Sequence, residues 1–580
     1  MTSSLIELRV LEGPNLYFSR AAIKATLDLT VLLEADDEAI RRFAHRIGLV
    51  TARPGAGGSG FRQRFAGRAV ARLVRQIALE AGTRRLAVRV RPTTDVHLVV
   101  VAFPWRHRDR ATALARAVAG VLDDLARTNI DALMGGAAAE VQGTDPGPVP
   151  PTIKPAIPVV AVTGTNGKTT TSRMIGHIAR EAGWHVGWSS TDGIYADGEL
   201  VEAGDYSGPS GAGRVLAQPG VQLAVTETAR GGILLRGIGV THNDVSVVTN
   251  VTADHLGLQG IDTLDQLAEV KAVVPRITKP AGWAVLNGDD PRVFAMRSVI
   301  EARPWVFSRD PGSPSIREVV GGGGRATTVI DGWISILAPA ADPDPLVPVV
   351  DVPMTLAGLS RFNVENALAA ASAALAVGLP RQAVVAGLES FVPGPHHNPG
   401  RMNVYSLDGF TVVIDLAHNE AGLEALIEVM NGLRSVGSRT LLGIGTAGDR
   451  TDDLVRSLGE LGARDCDVLV IVHKDAYLRG SDIEHMTATY RAGAAAVGVT
   501  DVPAFRSELA GLQALVSQAD RGDVVAVMCH QDRAGLHGWL RSLGAAVDDP
   551  QTVRDKVLVL RRTGPVPAAR AADSTVKVRR

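Results

Sequence analysis

The stretch Gly164-Thr165-Asn166-Gly167-Lys168-Thr169-Thr170 decides the fold. It follows Pro158-Val159-Val160-Ala161-Val162, an apolar run read as a buried strand, and it opens Thr170 to Ala182, read as a helix. A glycine-rich turn between strand and helix is what a phosphate-binding loop requires. Glycines let backbone amides converge on phosphate oxygens, and the helix N-terminus adds partial positive charge. Lys168 then reaches the terminal phosphates, and the Thr169 hydroxyl ligates Mg2+. The general form of such loops has Gly at position 162, where this chain has Val, so the loop is a shorter variant. The same residues could also build a strand–helix turn that binds no nucleotide.

Downstream, Val221 to Thr226 and Val245 to Thr249 are further short apolar strands. Apolar strands alternating with helices imply a doubly wound parallel sheet, whose ligands bind at the C-terminal strand edge. Polar clusters leave these strands at that edge. Glu227, in Thr226-Glu227-Thr228-Ala229-Arg230-Gly231-Gly232, fits a carboxylate ligand for Mg2+, which takes one or two protein carboxylates. It could equally be an exposed loop Glu. His255, in Thr249-Asn250-Val251-Thr252-Ala253-Asp254-His255-Leu256-Gly257, could ligate a second metal, orient a phosphate or simply be solvated. A helix is expected to start at Asp262, with Leu267, Lys271 and Val274 following at spacings of four and three. Lys271 then lies beside an apolar stripe. Burial would favour its neutral amine, the form that takes up CO2 as a carbamate. A lysine snorkelling to water is the alternative.

Working outward, residues 1–134 read as a small α+β domain. Its strands are Leu5 to Leu11, Leu86 to Val90 and His97 to Phe103, and Asp109 to Arg127 is an amphipathic helix. Residues 135–157, with Gly143-Thr144-Asp145-Pro146-Gly147-Pro148-Val149-Pro150-Pro151, read as a Pro-rich linker. Residues 158–397 form the central α/β domain, with hairpins in 315–350. Residues 398–560 form a third α/β unit with strands Thr411 to Asp415, Thr440 to Ile444, Val468 to Val472 and Val524 to Cys529. Residues 561–580 read as a frayed tail.

The composition excludes several classes. The chain has 580 residues and a formal net charge of −1, from 60 Lys+Arg and 61 Asp+Glu. That argues against a broad nucleic-acid partner, which needs a basic face. Two cysteines, Cys466 and Cys529, exclude a disulfide scaffold and a Cys-rich metal site. The first ten residues show no secretory pattern, and no apolar run is long enough to span a bilayer. The expectation is a cytoplasmic, multidomain chain with no membrane or nucleic-acid partner; homo-oligomerisation stays open.

This set and order of motifs resembles the Mur ligase superfamily of ATP-dependent amide ligases, of which Gly-Thr-Asn-Gly-Lys-Thr is a hallmark. The likeness extends to the Mur-ligase-like half of cyanophycin synthetase. It is carried there by Glu227 to Leu234, Asn250 to Leu258, Val270 to Val274 and Gly445-Thr446-Ala447-Gly448-Asp449-Arg450. It covers about residues 158–545. Leu11-Glu12-Gly13-Pro14-Asn15-Leu16 also looks like that enzyme's N-terminal domain. Two departures stand out. No ATP-grasp domain separates the two parts, so one ATP site and one ligation are expected. The family's Asp-Tyr-x-His-Asn-Pro reads here Asp415-Leu416-Ala417-His418-Asn419-Glu420.

The resemblance implies ATP and Mg2+ as cofactors and a residue set by position. Gly164, Thr165, Asn166, Gly167, Lys168, Thr169 and Thr170 would bind the triphosphate. Thr169, Glu227 and His255 would hold Mg2+, and Lys271 would be carbamylated and support a second Mg2+. Asn287, Asn366, Arg401, Asp415 and His418 would contact the nucleotide, with the third domain closing over it. The implied reaction activates a substrate carboxylate as an acyl phosphate and couples it to an amine. Small-molecule or peptide carboxylates and amines are thus the expected partners. Two other classes stay open: an NTPase or phosphotransferase without ligation, and a catalytically silent ATP-binding scaffold.

Overall fold

The computed structural model describes residues 4–49, 53–125, 129–254, 256–395 and 397–563. The chain forms two compact units: residues 1–346 with 365–388, and residues 347–364 with 389–580.

The first unit begins with an antiparallel sheet of β1 (Leu5–Leu11), β2 (Ala22–Asp28), β3 (Arg89–Pro92) and β4 (Leu98–Pro104), in the order β1-β2-β4-β3. Helices Gly60–Glu80, Arg108–Asp124 and Ile130–Gly143 share one apolar core with it. The strand expected at Leu86 to Val90 thus starts three residues later. The larger difference is Ile130–Gly143, which the sequence reading cut at residue 134 and gave partly to a linker. Met134, Ala137, Ala138 and Val141 are buried on its inner face. That tertiary packing outweighs the low helix propensity of Gly135-Gly136. Extended chain begins at Thr144. The turn Glu12-Gly13-Pro14-Asn15 docks this domain on the next one. Ile238 N–H donates to the Pro14 carbonyl at 2.7 Å, and a Cβ at Gly13 would stand 1.9 Å from the Ile238 oxygen. Only glycine fits there.

The central sheet has eleven strands in the order β15-β14-β13-β12-β11-β10-β5-β9-β6-β7-β8. They are β5 (Val159–Thr163), β6 (Val186–Ser189), β7 (Gly193–Ala196), β8 (Glu199–Ala203), β9 (Leu223–Glu227), β10 (Asn243–Val248), β11 (Thr278–Asn287), β12 (Arg303–Phe307), β13 (Arg325–Ile330), β14 (Trp333–Leu337) and β15 (Asp344–Pro348). From β6 to β13 across the middle the pairing is parallel, and β13 and β14 form the expected hairpin. All five residues of β5 are buried, as a strand covered on both faces demands. The chain visits β6 and β9 on one side of β5 and then β10 on the other. The loop after β5 therefore sits where the strand order reverses, the crevice where open α/β sheets bind ligands.

The second unit holds a sheet in the order β20-β19-β18-β21-β17-β16-β22. Its strands are β16 (Asn403–Leu407), β17 (Phe410–Asp415), β18 (Thr440–Ile444), β19 (Val468–Val472), β20 (Ala504–Phe505), β21 (Val524–Met528) and β22 (Ala546–Val547). β17, β21, β18, β19 and β20 run parallel; β16 and β22 are antiparallel additions at one edge. Two boundaries differ from the sequence reading. Residues 347–364 pack with this unit, ahead of the expected boundary at 398. Helix Pro550–Thr563 runs into the expected tail, whose residues 564–580 lie outside the described ones. Among the described residues no helix is long and apolar enough to cross a membrane.

Candidate active site

Strand register assembles the site. Val162 of β5 pairs with Glu227 of β9, Thr163 pairs with Val248 of β10, and Val248 pairs with Leu286 of β11. The polar residues just past these strands therefore meet at one edge: the loop after β5, Glu227, Thr249-Asn250 and Asn287. Each pair of neighbours is hydrogen-bonded. Thr165 N–H donates to the Asn250 carbonyl at 2.9 Å, and Asn166 N–H donates to Asn250 Oδ1 at 2.8 Å. Thr249 Oγ1 donates to the Asn166 carbonyl at 2.6 Å, and Asn287 Nδ2 donates to the Thr249 carbonyl at 2.7 Å.

Two glycines of the loop have no substitute. Gly164 has φ +153°, and a Cβ on it would stand 1.8 Å from Thr249 Oγ1. Gly167 has φ +86°, and its Cβ would stand 2.2 Å from Asn366 Oδ1. Asn366, on helix Arg361–Ala376, thus lies against the loop, where Oδ1 also accepts the Thr171 hydroxyl at 3.2 Å. Gly167 caps helix Lys168–Glu181, whose first-turn amides lie at the loop. Lys168 curls back over it, with Nζ donating to the Gly164 and Thr165 carbonyls at 3.1 and 2.8 Å. The ammonium is thereby held within the concavity those amides form.

Thr169 Oγ1 donates to Glu227 Oε2 at 2.9 Å, and Glu227 is 1% exposed. Glu227 is therefore no exposed loop residue. Thr169 and Glu227 present two hard oxygen donors side by side, the chemistry Mg2+ requires, so these residues fit the ion. Among the described residues no group of three or more His, Cys, Asp or Glu could hold a metal. His255 lies outside the described residues.

Lys271 ends helix Leu264–Lys271, which is capped by Thr263 in a reciprocal box with Gln266. The helix therefore starts at Leu264, two residues after the expected start at Asp262, because the hydroxyl of Thr263 accepts the Gln266 amide. Lys271 is 3% exposed, which removes the snorkelling alternative. Burial pushes its amine well below the usual lysine range and the positive charge of Lys168 adds to this, while Asp254 and Asp290 oppose it. Asp290 also accepts the Val251 N–H at 2.6 Å and caps the helix from Pro291. Glu365 accepts from Arg309 at 2.9 Å beside Asn287, and burial raises its carboxyl above the ordinary range despite that arginine. The sequence reading missed Asp254, Asp290 and Glu365 as site neighbours. All three stand in segments already read for His255, Asn287 and Asn366, but none of them was given a role.

In the second unit Asp415 ends β17 and is buried, which raises its carboxyl above the usual range. Arg401, the Met402 and Ala417 amides and His418 oppose that rise. Met402 N–H donates to Asp415 Oδ2 at 2.9 Å. Arg401, Asp415 and His418 are thus brought together, as expected. A network the sequence did not announce lies at the same sheet edge. Lys474 Nζ donates to the carbonyls of Gly445 and Met528 and pairs with Glu508 at 3.4 Å, both side chains being 1% exposed. Glu508 in turn accepts the N–H groups of His530, Gln531 and Asp532.

Residues 162–374 match the Mur ligase middle domain, and residues 400–530 match the Mur ligase, glutamate ligase domain. Cyanophycin synthetase of Synechocystis sp. is 41% identical over 319 residues, 55% of this chain and 36% of that protein. UDP-N-acetylmuramoyl-L-alanyl-D-glutamate--2,6-diaminopimelate ligase of Geobacter metallireducens is 30% identical over 327 residues, 54% of this chain and 60% of that protein. Among solved structures, a ligand-free bifunctional folylpolyglutamate synthase/dihydrofolate synthase from Yersinia pestis superposes with a TM-score of 0.49 at 18% identity, over 67% of this chain and 91% of that one. The chain spans about a third of the length of the cyanophycin synthetases it matches. With two domain models matching more than half of it in the expected order, the chain belongs to the Mur ligase superfamily.

Proposed function

We propose that the protein is an ATP-dependent amide ligase that joins a substrate carboxylate to an amine, releasing ADP and phosphate. The observation that carries this reading is the joint placement of the loop, Lys168, the Thr169–Glu227 pair and buried Lys271 at one sheet edge. Loop amides and Lys168 would hold and neutralise the β- and γ-phosphates, while Asn287 and Asn366 line the same edge. Thr169 and Glu227, with His255, would hold Mg2+, which supplies charge neutralisation on the phosphates. A buried, neutral Lys271 suits uptake of CO2 as a carbamate supporting a second Mg2+.

The substrate carboxylate attacks the γ-phosphorus, forming a bond to one carboxylate oxygen as the bond to the ADP oxygen breaks. Catalysis of this step is mostly positioning and charge stabilisation. The amine then adds to the acyl phosphate carbon, phosphate leaves with its bonding pair, and the amine's proton is lost to give the amide. Excluding water protects the acyl phosphate. Arg401, Asp415 and His418 would take part in nucleotide binding. The substrate class we favour is an amino acid or short-peptide carboxylate with an amino acid amine.

The test is a phosphate-release screen of carboxylate and amine pairs, with mass spectrometry of the product. Release that needs both substrates and yields a condensed mass supports ligation. Equal release without amine would assign the site to an NTPase instead. Lys271 should gain the mass of CO2 in native mass spectrometry with bicarbonate, and Lys271→Met should abolish that gain.

A further inference from the structure

Where β4 runs out, the N-terminal domain, together with Pro150, Thr152 and Thr241, lines a cavity of about 730 Å3, within the range of small-molecule sites. Its lining includes five arginines, Arg20, Arg84, Arg85, Arg106 and Arg110, and not one Asp or Glu. Arg20, Arg84, Arg85 and Arg106 are exposed and form no ion pair among the described residues. Arg110 is anchored, its guanidinium donating to the Thr144 carbonyl at 3.1 and 3.3 Å. Trp105 supplies an apolar wall. It is 6% exposed, and its indole N–H is committed to the Leu11 carbonyl at 3.0 Å, so the ring is fixed in place.

The charge of the whole domain has the same bias. Residues 1–134 carry 21 Lys+Arg and 13 Asp+Glu, a net +8, in a chain whose total is −1. A concave surface lined by one sign of charge focuses its field and raises the local concentration of counter-charge. Guanidinium forks pair bidentately with carboxylate and phosphate alike. Four other exposed arginines of this domain pair with acids: Arg41 with Asp37, Arg42 with Glu38, Arg46 with Asp131 and Arg108 with Asp109. The cavity set has none.

We infer that this cavity is a binding site for a compact polyanion, a molecule or chain end with two or more carboxylate or phosphate groups. No residue of the phosphate loop lines it, and its occupancy does not depend on Lys168.

Isothermal titration of the full chain without added metal tests this. Tricarballylate probes the carboxylate source and tripolyphosphate the phosphate source. At least one should bind with 1:1 stoichiometry, unchanged in Lys168→Ala, and the probe that binds identifies the source. The double substitution Arg84→Ala/Arg106→Ala, at exposed positions, should weaken binding about tenfold or more, as loss of two charge-assisted contacts implies. Arg116→Ala, exposed and outside the cavity lining, should leave it unchanged. Binding of neither probe, loss of binding in Lys168→Ala, or equal weakening by Arg116→Ala would overturn the proposal. So would an oligonucleotide that outcompetes both probes, which would assign the charge to a diffuse basic surface.

Discussion

The central sheet and the C-terminal sheet both run parallel strands to one edge, yet they furnish that edge in opposite ways. At the central edge the chemistry is contiguous: Gly164 to Thr169 carries the cradle, the cation and the hydroxyl within one turn. At the C-terminal edge the polar centre comes from three strand ends. Lys474 follows β19, Gly445 follows β18, and Met528 and His530 stand at the end of β21, all tied through Glu508 from a helix. A contiguous site needs its loop to keep its shape. A dispersed site needs its buried charges to stay matched, because each holds a different segment.

Breaking the dispersed centre should have the largest effect. Lys474→Met leaves Glu508 buried without its counter-charge, which costs about 3–5 kcal/mol where such pairs are fully enclosed. Guanidinium unfolding should show the loss as a lowered midpoint for the second unit. Adding Glu508→Leu should recover part of it, but not all, because three loop amides then lose their acceptor. Full additivity of the two substitutions would show that the pair is not coupled.

This contrast also explains what could be read without the fold. The loop, Glu227 and the parallel sheet were legible because a strand, its exit and the following helix are neighbours in sequence. Lys271 was legible as a face position, but its burial was not, since Leu267 and Val270 do not reveal what packs over them. Asp415 and His418 came from a local motif. Glu508 had no such marker: it is one acid on an Ala- and Leu-rich helix, and its three amide partners lie more than twenty residues away. Helix Ile130–Gly143 was hidden for the same reason, its stability coming from the domain core rather than from its glycine-containing sequence.

Next in size is the contiguous site. Lys168→Ala should lower amine-dependent phosphate release about 10²–10³-fold, the usual scale for removing one preorganised charge-stabilising donor. The melting temperature should stay near that of the parent chain. A variant that unfolds would instead show that Lys168's bonds to the loop carbonyls are structural. Gly167→Ala should act more weakly on stability, about 1–3 kcal/mol for a side chain forced to positive φ. Activity should fall with it, because Asn366 must move away from the loop. A rescue of Gly167→Ala by Asn366→Ala would confirm that the clash, rather than the φ angle, dominates.

The smallest effect is a pH dependence within the second unit. In the second unit His537 is buried and bonded to the Tyr405 hydroxyl. Burial, with the charges of Arg541 and Arg533, lowers its ring from 6.5 to about 4. Between those values the unfolded chain's imidazole binds a proton that the folded ring refuses. The unfolded state then holds more protons, so stability falls as pH drops through this window and is unaffected by this group above it. His537→Gln keeps a polar partner for Tyr405 and removes the titration. Its unfolding midpoint should therefore decline less steeply than the parent's between pH 6.5 and 4, with parallel curves near pH 8. Equal slopes across the acid range would place the acid sensitivity elsewhere, with Glu508 the next group to test. Its carboxyl is held below the usual range by Lys474 and the loop amides despite its burial. That contribution is full above the ordinary glutamate range and fades only as pH falls through the lower folded value, so the two groups are separable by where the decline begins.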